Sequence, residues 1–115
     1  MKGLRILLVD DEPLMRLSMV DALEAVGHEV EAAASGTEGL EAVRRRPFDL
    51  VITDLRLPGA DGLTVLTATK EQSPPTEVVV ITAHGSVETA VGAMKLGAFD
   101  YITKPFQMDE LLLIV

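Results

Sequence analysis

The sequence predicts an α/β fold, a doubly wound parallel sheet of five strands, from three observations. Short apolar runs alternate with stretches of helical period along the chain, the pattern of strands joined by crossover helices. Most of those runs are rich in β-branched residues, as strands covered on both faces should be. The length of 115 residues leaves room for one domain and one core of ordinary size.

Taken in order, Arg5–Val9 reads as the first strand, followed by a helix whose inner face carries Met15, Met19, Ala22, Leu23 and Val26, with Gly27 as its stop. Glu29–Ala33 is the second strand. Ser35 caps the next helix, Glu38 completes a capping box three residues later, and Leu40 and Val43 face inward. Leu50–Thr53 is the third strand, and the third helix aligns Leu63, Leu66 and Lys70 before Ser73-Pro74-Pro75 closes it. Val78–Thr82 is the fourth strand. Its helix sets Val87, Ala90, Val91 and Met94 on one face and ends at Gly97, with Met15, Met19 and Met94 read as core. Tyr101–Thr103 is the last strand, and Gln107 to Val115 begins a fifth helix.

That helix ends on five consecutive apolar residues, Leu111 to Val115, where a natural helix would alternate in character and carry a cap. The chain is therefore read as an excised N-terminal piece of a longer protein, and a version extended by about two helical turns is expected to gain stability in denaturant melts.

Composition narrows the function. Apolar residues make up 48% and charged residues 24%, which disfavours disorder. A formal charge of −8 opposes a surface made for phosphate backbones, so no direct nucleic-acid contact is expected. Cysteine is absent, which excludes disulfides, thiolate metal sites and cysteine nucleophiles. Apolar runs fall far short of the roughly 20 residues that span a bilayer and no signal-peptide pattern opens the chain, so the expected compartment is the cytoplasm.

In a doubly wound sheet ligands sit beyond the carboxyl ends of the strands. There the sequence offers Asp10-Asp11 after the first strand, Asp54 after the third, Thr82-Ala83 after the fourth and Lys104-Pro105 after the fifth. Asp10 and Asp11 alone would be read as a helix cap, Asp54 as a turn residue and Thr82 as an ordinary strand end; none of these readings explains why all fall on one edge. Three carboxylates in one site repel unless a cation joins them. Magnesium suits oxygen ligands and leaves positions for water and phosphate. With Mg²⁺ and the Lys104 ammonium, the three carboxylates form a neutral set. Asp54, at the end of the central strand, is the nucleophile candidate for an aspartyl phosphate. Asp10 and Asp11 hold the metal, Lys104 neutralises the phosphoryl oxygens, Thr82 donates a hydroxyl and Ala83 keeps the approach open. The Lys104–Pro105 bond is expected to be cis, aiming the lysine inward.

The stretches Leu8-Val9-Asp10-Asp11-Glu12, Thr53 to Gly59, Ile81-Thr82-Ala83 and Asp100 to Phe106 resemble, in order and spacing, the signature stretches of response-regulator receiver domains of bacterial two-component systems. The resemblance implies a flavodoxin-like (CheY-like) fold with strand order 2-1-3-4-5 and transfer of phosphate from a sensor histidine kinase to Asp54. It also implies the backbone carbonyl of Arg56 as a metal ligand. Thr82 and Tyr101 match the family's switch pair, which remodels the face of the fourth helix, fifth strand and fifth helix where partners and dimer mates dock. Arg56 and His84, each two residues beyond a site residue, match positions that tune phosphoryl lifetime, so replacing either should change the dephosphorylation half-life.

Thr82 to Ser86 and Ala93 to Tyr101 are most similar to receivers of the NtrC type. Those precede an ATPase that activates sigma-54 polymerase and a DNA-binding helix-turn-helix, implying transcriptional output. Such a domain promotes its own phosphotransfer and autodephosphorylation and is no turnover enzyme.

Rival readings fit less well. A flavin carrier would need a hydroxyl- and glycine-rich first loop where Asp10-Asp11-Glu12 stands, and an aspartyl phosphatase needs nucleophile and acid two residues apart on one strand end. P-loop and dinucleotide fingerprints are missing. A non-phosphorylated pseudo-receiver, acting only as a protein-binding module, is the alternative, opposed by the intact acidic set and Lys104. The Arg44-Arg45-Arg46 run is read as a solvated helix end.

Overall fold

In the computed structural model, which describes residues 3–82 and 87–115 (Val87 by its backbone alone), five parallel strands and five helices alternate. The elements are β1 (Arg5–Val9), α1 (Pro13–Ala25), β2 (Glu29–Ala33), α2 (Gly36–Arg45), β3 (Leu50–Asp54), α3 (Gly62–Gln72), β4 (Glu77–Thr82), α4 (Val87–Lys95), β5 (Asp100–Thr103) and α5 (Met108–Ile114). The sheet runs β2-β1-β3-β4-β5, so the chain winds outward first in one direction and then in the other. β3 takes in Asp54, β4 starts one residue earlier than the pattern predicts, and so does β5.

Strand parity divides the core into two layers. Leu7, Val9, Val51, Val78 and Val80 pack with Ala42, Val43, Val65, Leu66 and Ala93, beneath α2, α3 and α4. Their neighbours Ile6, Leu8, Ile52, Val79 and Ile81 pack with Met19, Leu23 and Leu111, beneath α1 and α5. Apolar residues at both parities are what a two-sided sheet requires. Each fully buried Leu, Ile or Val contributes about 1.5–3 kcal/mol.

Helix faces depart from the periodicity in instructive places. Val26 lies past the end of α1 and is exposed, because Gly27 turns the chain with φ 98°. On α4 the buried positions are Ala90 and Ala93, while Val91 and Met94 are exposed, so Met94 is not core. Small residues let α4 sit close to the sheet and turn its larger apolar side chains outward. Ser35 caps α2 by accepting from the Glu38 N–H, but the Glu38 carboxylate takes the Ala34 N–H rather than closing the box on Ser35. On α3 the buried side chains are Val65, Leu66 and Thr69, and the Lys70 ammonium donates to the carbonyls of Pro74 and Thr76. Within the apolar tail Leu111 is buried, Leu112, Ile114 and Val115 pack against the same layer, and Leu113 stands 87% exposed.

One glycine ties the fold to the strand ends. At Gly62 a Cβ would run into the backbone carbonyl of Asp54 and the Cα of Leu55, and the Gly62 N–H already donates to the Leu55 carbonyl at 3.0 Å. The start of α3 therefore rests on the backbone of Asp54. Gly62→Ala is expected to cost about 1–3 kcal/mol through overpacking, read as a lower urea midpoint at unchanged slope.

Candidate functional site

Parallel pairing in register brings the strand ends to one line. Val9 lies beside Thr53, Asp54 beside Ile81, and Thr82 beside Thr103. The residues just past those ends are tied on by backbone bonds: Asp10 N–H to Ala33 carbonyl, Leu55 N–H to Ile81 carbonyl, and Lys104 N–H to Thr82 carbonyl at 2.8 Å. Asp10, Asp11, Asp54, Thr82 and Lys104 thus share one end of the sheet although up to 94 positions separate them in the sequence.

A cavity of about 320 Å³ opens there, lined by Asp11, Glu12, Asp54, Arg56, Thr82 and Lys104 among others. Lys104 is its hub. Its Nζ donates to Asp54 Oδ2 at 2.8 Å and to Glu12 Oε1 at 3.2 Å, and lies 4.0 Å from Asp10 Oδ2. Burial pulls the ammonium down, but its hydrogen bond and charge contact with Asp54, followed by Glu12 and Asp10, outweigh that and hold its pKa above the ordinary lysine range. The lysine stays charged at any physiological pH. The Lys104–Pro105 peptide bond is cis.

Asp54 is almost fully buried, with its Oδ1 accepting from the Arg56 N–H at 3.1 Å. Asp10 is completely buried; its Oδ1 accepts from the Glu12 N–H at 2.9 Å, and its Oδ2 has no hydrogen-bond partner among the described residues. Burial raises the Asp10 pKa first of all; the Glu12 N–H and Lys104 oppose that, and the Asp54 and Glu12 charges add to it. One carboxylate oxygen from each of Asp10, Asp11 and Asp54 lies within 4.8 Å of the others. Clustered hard oxygen donors, one of them buried and unpaired, fit a small divalent cation.

Arg56 is exposed at the rim. Tyr101 lies on the same sheet face as Thr82 by register, yet its ring is 44% exposed and lines a groove with Asp100, Pro105 and Glu110 instead of the cavity. Ala83 and His84 lie outside the described residues. Sequence reasoning gave no role to Glu12, whose carboxylate bonds Lys104, or to Thr89, which lines the cavity from α4. Glu12 was signalled by its place beside the acidic pair; Thr89 carries no signal of its own. With Glu12 included, four carboxylates face one ammonium, so the set is more negative than the neutral count from the sequence.

A fold of this order, with this acidic edge and inward lysine, defines a CheY-like receiver. The chain belongs to the family described as response regulator receiver domain, whose profile matches residues 6–115. Among its relatives, an NtrX-like response regulator of Rickettsia typhi is 39% identical over 117 aligned residues, covering 100% of this chain and 25% of that protein. The transcriptional regulator NtrC of Klebsiella pneumoniae is 38% identical over 94% of this chain and 23% of its own length. The crystal structure of the receiver domain of NtrX from Brucella abortus superposes with a TM-score of 0.88 at 42% identity, covering 95% of this chain and 92% of that one. These relatives are of the NtrC type, and the chain spans about a quarter of the length of the two full regulators named.

The buried, half-satisfied Asp10 has a measurable consequence. A carboxyl whose folded pKa is raised stabilises the fold below its unfolded value and loses that contribution as pH rises through the folded one. Asp10→Asn, without divalent cation, is therefore expected to raise stability at neutral pH by roughly 1 kcal/mol, with the difference vanishing in acid, as read by urea melts at the two pH values.

Proposed function

We propose that this domain accepts a phosphoryl group on Asp54 from a phosphohistidine of a sensor histidine kinase and uses it to control an output domain in a longer regulator. The single observation that carries the reading is the 2.8 Å contact of Lys104 Nζ with Asp54 Oδ2 beside the Asp10 and Asp11 carboxylates. Asp10, Asp11, Asp54 and the backbone carbonyl of Arg56 would hold Mg²⁺. Bound there, the ion supplies charge neutralisation for the phosphoryl oxygens.

Asp54 attacks phosphorus through a carboxylate oxygen; the new O–P bond forms as the donor's N–P bond breaks, and the imidazole nitrogen keeps that electron pair. Lys104 and the Thr82 hydroxyl turn toward phosphoryl oxygens, acting by position and charge. The same site releases phosphate by autodephosphorylation, with Ala83 setting access and Arg56 and His84 setting lifetime; the domain does not turn over a metabolite.

Once phosphorylated, the domain favours the arrangement in which Thr82 bonds the phosphoryl group and Tyr101 turns inward, because only that arrangement gains the contact. The face of α4, β5 and α5 then changes shape. The exposed Val91, Met94, Tyr101 and Leu113 give it apolar surface for an output domain or a second copy. Kinship with NtrC-type regulators supports an ATPase and a DNA-binding module as that output, acting with sigma-54 polymerase in the cytoplasm. Exposed Leu14 and Leu17 on the first turns of α1 offer a kinase an apolar foothold beside the cavity.

Acetyl phosphate with Mg²⁺ is expected to add the mass of one phosphoryl group, with no addition to Asp54→Asn and labelling slowed about 10²-fold in Lys104→Ala. Absence of any gain in the native chain would favour the module that binds partners without phosphorylation. Leu14→Asp with Leu17→Asp is expected to slow transfer from a phosphorylated kinase at least tenfold, about 1.4 kcal/mol, and to leave acetyl phosphate labelling unchanged.

A further inference from the structure

Glu12 stands at the N-cap of α1, where an acidic side chain usually accepts from the first turn's amides. Here it makes no capping bond. Pro13 fixes the backbone after it, the Glu12 N–H is spent on Asp10 Oδ1, and the Glu12 carboxylate reaches across the cavity mouth to accept from Lys104 Nζ at 3.2 Å, 92 residues along the chain. The Glu12 side chain is 60% exposed, against 10% for Asp54, so the ammonium lies between a buried carboxylate and an exposed one.

That placement bears on how Asp54 becomes reactive. Its Oδ2 is engaged by Lys104 at 2.8 Å and its Oδ1 by the Arg56 N–H, so both oxygens are hydrogen-bonded in the resting domain. For Oδ2 to face phosphorus the ammonium has to leave it, and until phosphoryl oxygens reach it a part-buried cation without an acceptor is costly. Lys104 has three N–H donors, and Glu12 is the acceptor already in place on the outer side. We propose that Glu12 is a positioning residue for Lys104, a second carboxylate that keeps the ammonium paired while Asp54 Oδ2 is released for reaction. The proposal rests on Asp54 being the phosphoryl acceptor. A surface ion pair kept only for stability would show a different signature, since exposed pairs contribute little to folding.

The test compares the native chain with Glu12→Ala and Glu12→Gln, labelled by acetyl phosphate and Mg²⁺ at high ionic strength, where the charge of Glu12 on an anionic donor is screened. In this reaction the Asp54 O–P bond forms as the bond from phosphorus to the acetate oxygen breaks, and acetate leaves with the pair. Glu12→Ala is expected to label two- to fivefold more slowly, about the worth of one exposed charged pair, and Glu12→Gln, which keeps an acceptor oxygen, to recover part of the rate. The urea midpoint is expected to stay put. A labelling rate in Glu12→Ala equal to or above the native one, or a slowing matched by a lowered urea midpoint, overturns the role of Glu12. Failure of the native chain to label at all overturns the acceptor assignment instead.

Discussion

Crowding of negative charge at the carboxyl end of the sheet is the constraint around which this domain is arranged. Asp10 and Asp54 are buried and Asp11 stands close by, a grouping that a stable protein would ordinarily avoid because ionised carboxylates in low dielectric repel and lose hydration. Lys104 is the counterweight, brought across from the far end of the chain by β5 and held by the Thr82 carbonyl. The compensation is partial. Asp10 keeps a buried oxygen without a partner among the described residues, an imbalance that a divalent cation would relieve.

The supports beneath the site are rigid where the site is strained. Both core layers reach to the strand ends: Val9 and Val80 on one face, Leu8 and Ile81 on the other, all fully buried. Buried hydroxyls are satisfied at close range, Thr53 on the Asp54 carbonyl and Thr76 on the Phe48 carbonyl. With Gly62 against its backbone, Asp54 has little freedom except in its side chain. The long side chains of Glu12, Arg56 and Lys104 complete the cavity from its rim.

Much of this was legible in the sequence. Alternation of apolar runs with helical stretches gave the five-unit α/β plan, and the acids and lysine at strand ends converge because parallel strands in register leave no other place for them. Strand order was not in the periodicity; it came from resemblance to the receiver family, because apolar runs do not say which neighbours they pair with. Periodicity misassigned Val91 and Met94 on α4, where the small side chains of Ala90 and Ala93 make the inner face. Glu12 was missed for a related reason. A residue at a helix start is read locally as a cap, whereas its partner lies 92 positions away.

The basic run at the end of α2 carries a last implication. Arg45 and Arg46 both close on Glu31 of β2, at 3.0 and 2.7 Å, and β2 is the outermost strand on its side. The flank that could recruit another strand therefore carries paired charges at its middle residue, Glu31. The two borders of the sheet are unlike: one carries a doubly paired acid, and the other carries the half-exposed ring of Tyr101.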